Sequence, residues 1–115
     1  MHELSIAVNI VDGALEELRR RGAEEVTAIY VRVGRLSGVD QDALLFSYGL
    51  AAQDTVLARS RLVIEPVEVA IFCQQCQAER PTRDFPVLIC GTCGTLAGSI
   101  VRGKELEITA MEIVS

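Results

Sequence analysis

Apolar residues at Leu4, Ala7, Ile10, Val11, Ala14, Leu15 and Leu18 recur every three or four positions, the spacing of one helix face. Asp12, Glu16, Glu17 and Arg19 to Arg21 fall largely on the other face or at its end. Glu3 early and three arginines late suit the helix dipole, and Gly22 is placed to stop the helix. From Val26 to Val33 the period becomes two. Ile29, Val31 and Val33 share one side and Ala28, Tyr30 and Arg32 the other, as in a strand with one buried face. Gly34 to Gly38 reads as a turn. Ser37 and Asp40 bracket the start of a second helix, which runs through Leu44, Leu45, Tyr48 and Ala51 or Ala52 to about Asp54. Leu62 to Ile71 reads as one further extended segment, with Pro66 at an edge or kink. After Gly103 alternation returns, with Leu106, Ile108 and Ala110 set against Glu107, Thr109 and Met111. That last strand is too short to stand alone and is expected to pair with the strands before residue 70. The pattern predicts an α+β domain of two helices on a three-stranded sheet, built from residues 1–69 and 103–115. Residues 70–102 are then an inserted module.

The insertion carries all four cysteines, Cys73, Cys76, Cys90 and Cys93, in the pattern C-x2-C-x13-C-x2-C. Each C-x2-C pair can put two thiolates on one tight turn, and two facing turns supply the four soft ligands of a closed tetrahedral Zn²⁺ site. The intervening 13 residues are enough for a short hairpin. Gly91 and Gly94 allow the positive-φ turns that aim backbone N–H groups at sulfur. Two structural disulfides would need an oxidising compartment, and Met-His-Glu-Leu-Ser-Ile shows no basic n-region or long apolar run of a secretory signal. Thiol redox chemistry needs one reactive pair with a lowered pKa, and neither motif contains a basic or histidine neighbour. Zinc is the reading the spacing favours. A site closed by four cysteines leaves no open position, so this zinc is structural rather than catalytic.

Composition narrows the function classes. The chain has 115 residues, half of them hydrophobic, which is one domain's worth of core or a small domain plus a metal-held module. Net charge is −5, unfavourable for a general nucleic-acid binder. Residues 70–104 sum to +2 from side chains, and four thiolates with one Zn²⁺ offset that, so the loaded module is near neutral and a nucleic-acid-binding zinc ribbon is the weaker alternative, as is a protein-interaction adaptor. No run approaches the roughly 18 apolar residues of a membrane span. No membrane partner, no nucleic acid and a cytoplasmic location are expected. No Ser/His/Asp set, phosphate loop or paired catalytic carboxylates is evident, so the chain reads as a binding protein rather than an enzyme.

His2 is the only histidine. The α-amine of Met1, the amide nitrogen of His2 and its imidazole can close fused chelate rings around one metal, and nitrogen donors in a plane suit Ni(II) or Cu(II). A single histidine at a chain end is also commonly inert, and the spacing leaves both readings open.

Met1-His2-Glu3-Leu4-Ser5, Val33-Gly34-Arg35-Leu36-Ser37-Gly38-Val39-Asp40, the two C-x2-C pairs and Gly103-Lys104-Glu105-Leu106 occur here in order. Together they resemble the HypA/HybF family of hydrogenase nickel-incorporation proteins over nearly the whole chain. The resemblance implies a nickel metallochaperone for [NiFe]-hydrogenase maturation, with nickel on the α+β domain and structural zinc on the four-cysteine module. It implies Ni(II) as cargo held by the Met1 amine, by His2 through backbone and imidazole nitrogens, and by the Glu3 backbone. Asp40 matches an acidic position that can approach the same metal, and is equally a good helix N-cap. Zn(II) would be held by Cys73, Cys76, Cys90 and Cys93. Implied partners are the maturation GTPase HypB and the hydrogenase large-subunit precursor, and a homodimer is allowed. Members that serve urease can carry histidines beside the zinc cysteines; this chain has none there, which weakens a urease role.

Overall fold

Residues 3–114 are described by the computed structural model of the protein. In chain order the elements are α1 (Glu3–Arg21), β1 (Glu25–Gly34), α2 (Gln41–Ala52), β2 (Arg61–Val67), β3 (Ala70–Cys73), β4 (Ala78–Asp84), β5 (Val87–Cys90), β6 (Ser99–Arg102) and β7 (Leu106–Val114). The strands form two sheets, one ordered β2-β1-β7 and the other β5-β4-β3-β6. The α+β class is as expected. The inserted segment contributes a four-stranded sheet of its own, more strand than its sequence suggested.

Helix α1 buries Ile6, Ala7, Ile10, Val11, Ala14 and Leu18. Leu4 is half exposed instead, because one 3.6-residue step back from Ile10 falls on Ile6 and Ala7. Ala23 N–H donates to Leu18 O at 3.1 Å and Gly22 N–H to Arg19 O at 3.3 Å, with Gly22 at φ 65°. These paired bonds close the helix as a Schellman cap. Helix α2 presents Leu44, Ser47, Tyr48 and Ala52 to the interior. Between α2 and β2, Leu57 is driven fully into the core by a looped segment. There Thr55 Oγ1 donates to Ala52 O at 2.7 Å and Ser60 Oγ to Leu57 O at 2.6 Å. Both helices and Leu57 pack with Val26, Ile29, Val31, Val33 and Leu62 in one core. Each such side chain contributes roughly 1.5–3 kcal/mol through removal from water.

Central strand β1 runs parallel to β2 and antiparallel to β7. Its pairing with β7 slips twice, between Val26 and Ala28 and between Tyr30 and Val31. Each slip is a bulge that shifts the two-residue alternation by one. Val26 therefore joins Ile29, Val31 and Val33 in the core. On β7, Met111 and Ile113 pack against the core, where simple alternation from Leu106 would have chosen Ala110.

The expected single segment from Leu62 to Ile71 is two strands. β2 ends at Val67 and belongs to the first sheet; β3 starts at Ala70 and belongs to the second. The junction between the sheets is a close backbone meeting. Gly34 N–H donates to Glu105 O at 2.7 Å, Arg35 N–H to Val67 O at 2.9 Å and Leu36 N–H to Gly103 O at 2.6 Å. The end of β1 is thus gripped between the segment leaving the first sheet and the segment returning to it. Only glycine fits at residue 34, since a Cβ there would lie 2.1 Å from Gly103 O. The Arg35 guanidinium also stacks 4.6 Å over the Phe85 ring, tying this junction to the β4–β5 turn.

Candidate metal centre

Two tight turns carry the cysteines. The first closes the β3–β4 hairpin, where Cys73 ends β3 and pairs with Ala78. The second follows β5, which ends at Cys90. They are built alike: Cys76 N–H donates to Cys73 Sγ and Cys93 N–H to Cys90 Sγ, each at 3.4 Å. The residue after each second cysteine is left-handed, Gly94 at φ 80° and Gln77 at φ 55°. One of the two expected glycines therefore has the expected conformation. Gly91 serves differently: its N–H donates to Pro81 O at 2.8 Å, and a Cβ would crowd that same oxygen at 3.0 Å.

The four sulfurs converge, all within 4.8 Å of one another. Cys73 Sγ and Cys93 Sγ are 3.5 Å apart, and Cys76 Sγ and Cys90 Sγ 3.9 Å. Metal–sulfur bonds of about 2.3 Å in a tetrahedron place sulfurs about 3.8 Å apart, so this cluster matches a Zn²⁺ tetrathiolate. All four cysteines are free, and these separations are far beyond a disulfide's about 2.05 Å. Cys73 and Cys90 are buried and Cys93 is exposed. Electrostatics point the same way. Hydrogen bonds from the Thr95 side chain and backbone hold the Cys93 thiol down at about 6. At Cys76 the Arg80 guanidinium pulls downward, but desolvation and the three other cysteines push it up to about 11. Four thiols so close titrate as a set, and all four ionise together only around a cation.

A basic neighbour was missed in the sequence. Arg80 lies outside both C-x2-C motifs, yet β4 folds back on β3 and sets Arg80 opposite Ile71, within the cysteine module. Four residues after the second cysteine of a hairpin is the signal that could have located it.

Outside the cysteine segment, the starts of α1 and α2 meet. Asp40 N–H donates to Glu3 Oε2 at 3.0 Å, which holds the Glu3 carboxyl below its ordinary value. Asp40 is the N-cap of α2, its Oδ1 accepting from Ala43 N–H at 2.9 Å. Glu3 and Asp40 are therefore adjacent although 37 residues apart. The remaining expected nickel ligands, Met1 and His2, lie outside the described residues.

Comparison with known proteins gives a consistent answer. A family model described as hydrogenase/urease nickel incorporation, metallochaperone, hypA matches residues 1–113. The hydrogenase maturation factor HypA of Chloroflexus aggregans is 46% identical over 112 residues, covering 97% of this chain and 98% of the relative. That of Synechococcus elongatus is 37% identical over 115 residues, covering 99% and 100%. Among solved structures, a solution structure of a HypA protein superposes with TM-score 0.75 at 19% identity, covering 99% of this chain and 97% of the other. The nickel metallochaperone HypA of Helicobacter pylori superposes with TM-score 0.69 at 18% identity, covering 100% and 99%. These two likenesses establish a shared fold.

Proposed function

Because this chain belongs to the HypA family of hydrogenase maturation factors, we propose that it carries Ni(II) as cargo to a [NiFe]-hydrogenase precursor. Members of such a family are maturation factors rather than enzymes, and no turnover is assigned. Residues 1–69 and 103–115 form the nickel-binding domain and residues 70–102 the zinc-binding module. Cys73, Cys76, Cys90 and Cys93 hold a structural Zn(II), which when bound supplies the crosslink that fixes the two cysteine turns. Met1, His2 and Glu3 hold the nickel, with Asp40 beside them. The working partners are the GTPase HypB and the hydrogenase large-subunit precursor, met in the cytoplasm. Among the described residues, no helix is long and apolar enough to cross a membrane.

The observation that carries the nickel assignment is the Asp40–Glu3 hydrogen bond. It fixes the first described turn of α1, at Glu3, against the cap of α2, so two carboxylates share one corner. Backbone and terminal ligands there can be peeled away without disturbing the core, which suits a carrier that must release its metal. The test is N-terminal extension of the full-length, zinc-loaded protein, read by calorimetric nickel titration. A short tag converts the Met1 amine to an amide and should abolish tight binding, whereas a histidine-free C-terminal tag should not. Equal affinity in the extended protein would overturn the assignment. Asp40→Asn keeps an equally good cap and removes the carboxylate charge. Weakened nickel binding with unchanged stability would make Asp40 a ligand; unchanged binding would leave it a cap.

A further inference from the structure

Strand β7 is an edge of the first sheet. It pairs with β1 on one side, and its other side meets no strand among the described residues. Consecutive residues from Leu106 to Ala110 are all exposed. Leu106 and Ile108 are 36% and 41% exposed although they lie opposite the core residues Val33 and Val31. Proteins blunt open edges with proline, charge or a cover. The opposite edge of this sheet, β2, carries Pro66; β7 has no proline. Helix α1 runs beside β7, and the two enclose a trough. One cavity of about 300 Å³ lies against Ile6, Asn9 and Leu106, and a second of about 470 Å³ against Gly13, Glu17 and Met111. Ile108 lines both, so the two hollows are continuous along the strand. Glycine in mid-helix costs stability, and no packing within the lone chain requires it at residue 13, where a Cβ would meet nothing within 4 Å. Its missing side chain widens the trough.

The geometry also selects the occupant. A row of unpaired N–H and C=O groups takes up an extended chain. Every second residue of that chain would face α1 and meet Ile108 and Met111, which calls for apolar side chains there. Charge governs the alternate positions. Glu107 lies opposite Arg32 on β1, but Arg32 Nε donates to Glu65 at 3.0 Å, leaving Glu107 without an ion pair among the described residues. A second copy of β7 does not fit. Thr109 is an extra residue in the pairing with β1, so Ile108 and Met111 both lie opposite core residues. Antiparallel partners share a face, and pairing two copies about Ala110, the middle of the strand, would set Ile108 against Glu112. We propose that β7 and α1 form a docking groove for an extended segment of a different protein, which adds to the sheet beside β7 with apolar residues at alternate positions and a lysine or arginine beside Glu107. Backbone pairing supplies affinity and the alternate side chains supply selectivity. The docking needs neither metal, so it stands apart from the nickel and zinc assignments.

The test titrates full-length, ¹⁵N-labelled protein with a short, end-blocked peptide of alternating valine and lysine. Chemical-shift changes should be confined to residues 106–113 and the trough side of α1 and saturate below about 1 mM. Amide exchange in β7 should slow about 10-fold or more. Only one set of alternate peptide N–H groups faces the edge, so one of the two alternately N-methylated peptides should lose binding. A peptide of alternating valine and glutamate should bind about 10-fold more weakly or worse, and Glu107→Lys, at an exposed position, should reverse that preference. Gly13→Leu should fill the trough and block the valine–lysine peptide. Absence of shifts in residues 106–113 at about 1 mM peptide overturns the proposal. So does undiminished binding of both methylated peptides, or a lysine preference unchanged in Glu107→Lys. Protection of β7 that rises with protein concentration alone would give the edge to a second copy and overturns it too. Should Gly13→Leu fail to fold, the methylated peptides and Glu107→Lys decide.

Discussion

Replacing Gly34 by alanine tests how the two sheets are joined. The new Cβ would stand 2.1 Å from Gly103 O and 2.7 Å from Glu105 N. Non-bonded heavy atoms rest at about 3.5–4 Å, so residues 103–105 must retreat by about 1 Å or more. Retreat breaks the bonds from Gly34 N–H to Glu105 O and from Leu36 N–H to Gly103 O. Each is worth about 0.5–1.5 kcal/mol net, and more where the orphaned group stays dry, as it would beside buried Gly34 and Gly103. We expect a loss of about 2–4 kcal/mol, a large share of the roughly 5–15 kcal/mol typical of a domain. Thermal midpoints should fall by about 10–20 °C on that basis. Urea unfolding of zinc-loaded protein, followed by far-UV circular dichroism, measures it. A loss below about 0.5 kcal/mol with an unchanged urea slope would refute the reasoning.

Gly13→Ala should do the opposite: the site is mid-helix, a Cβ there meets nothing within 4 Å, and a gain of about 0.5–1 kcal/mol is expected in the same urea assay. Cys90→Ala should remove zinc, measured by plasma emission spectrometry, and abolish amide-exchange protection in residues 70–102 while the helical signal of α1 and α2 persists. Glu112 accepts from Thr27 Oγ1 at 2.7 Å and Tyr30 Oη at 3.2 Å, and these hydrogen bonds lower its pKa below the ordinary 4.5. A lowered carboxylate pKa stabilises the fold above pH 4.5 and ceases to do so as pH falls through the folded value. Glu112→Gln should therefore melt below wild type at pH 7, with the gap closing as pH falls below 4.5 through the lowered value; acid loss of any bound metal is common to both proteins and cancels in the comparison.

The helices, the alternating strands and the paired cysteines were legible because their signals are local: a 3.6-residue stripe, a two-residue alternation, and two thiols on one turn. What was not legible depends on pairing across long stretches of chain. The bulges near Thr27 and Thr109 change which residues face the core, and they exist only once β1 meets β7. The break at Glu68–Val69 follows from two sheets competing for one extended run. Gly34 read as the start of a turn, and its true constraint is a carbonyl 69 residues later, at Gly103. Arg80 read as one charge among several until β4 was laid on β3. Of the proposed nickel site, the residue types are read from the sequence and the adjacency of Glu3 and Asp40 comes from the fold.

The strand order has a bearing on how the protein is made. Residues 25–33 of β1 pair with residues 106–114 of β7, the last stretch of the described chain. Synthesis proceeds from the N-terminus, so β1 can dock with β2 early but keeps one side bare until the whole inserted sheet has emerged. A bare strand edge is where nascent chains pair wrongly with one another. Once the cysteine segment folds, its two ends are brought to either side of residues 34–36, and the loop that β7 must close is shortened. On the reading that a metal fixes the cysteine segment, its supply during synthesis sets how long that edge stays open.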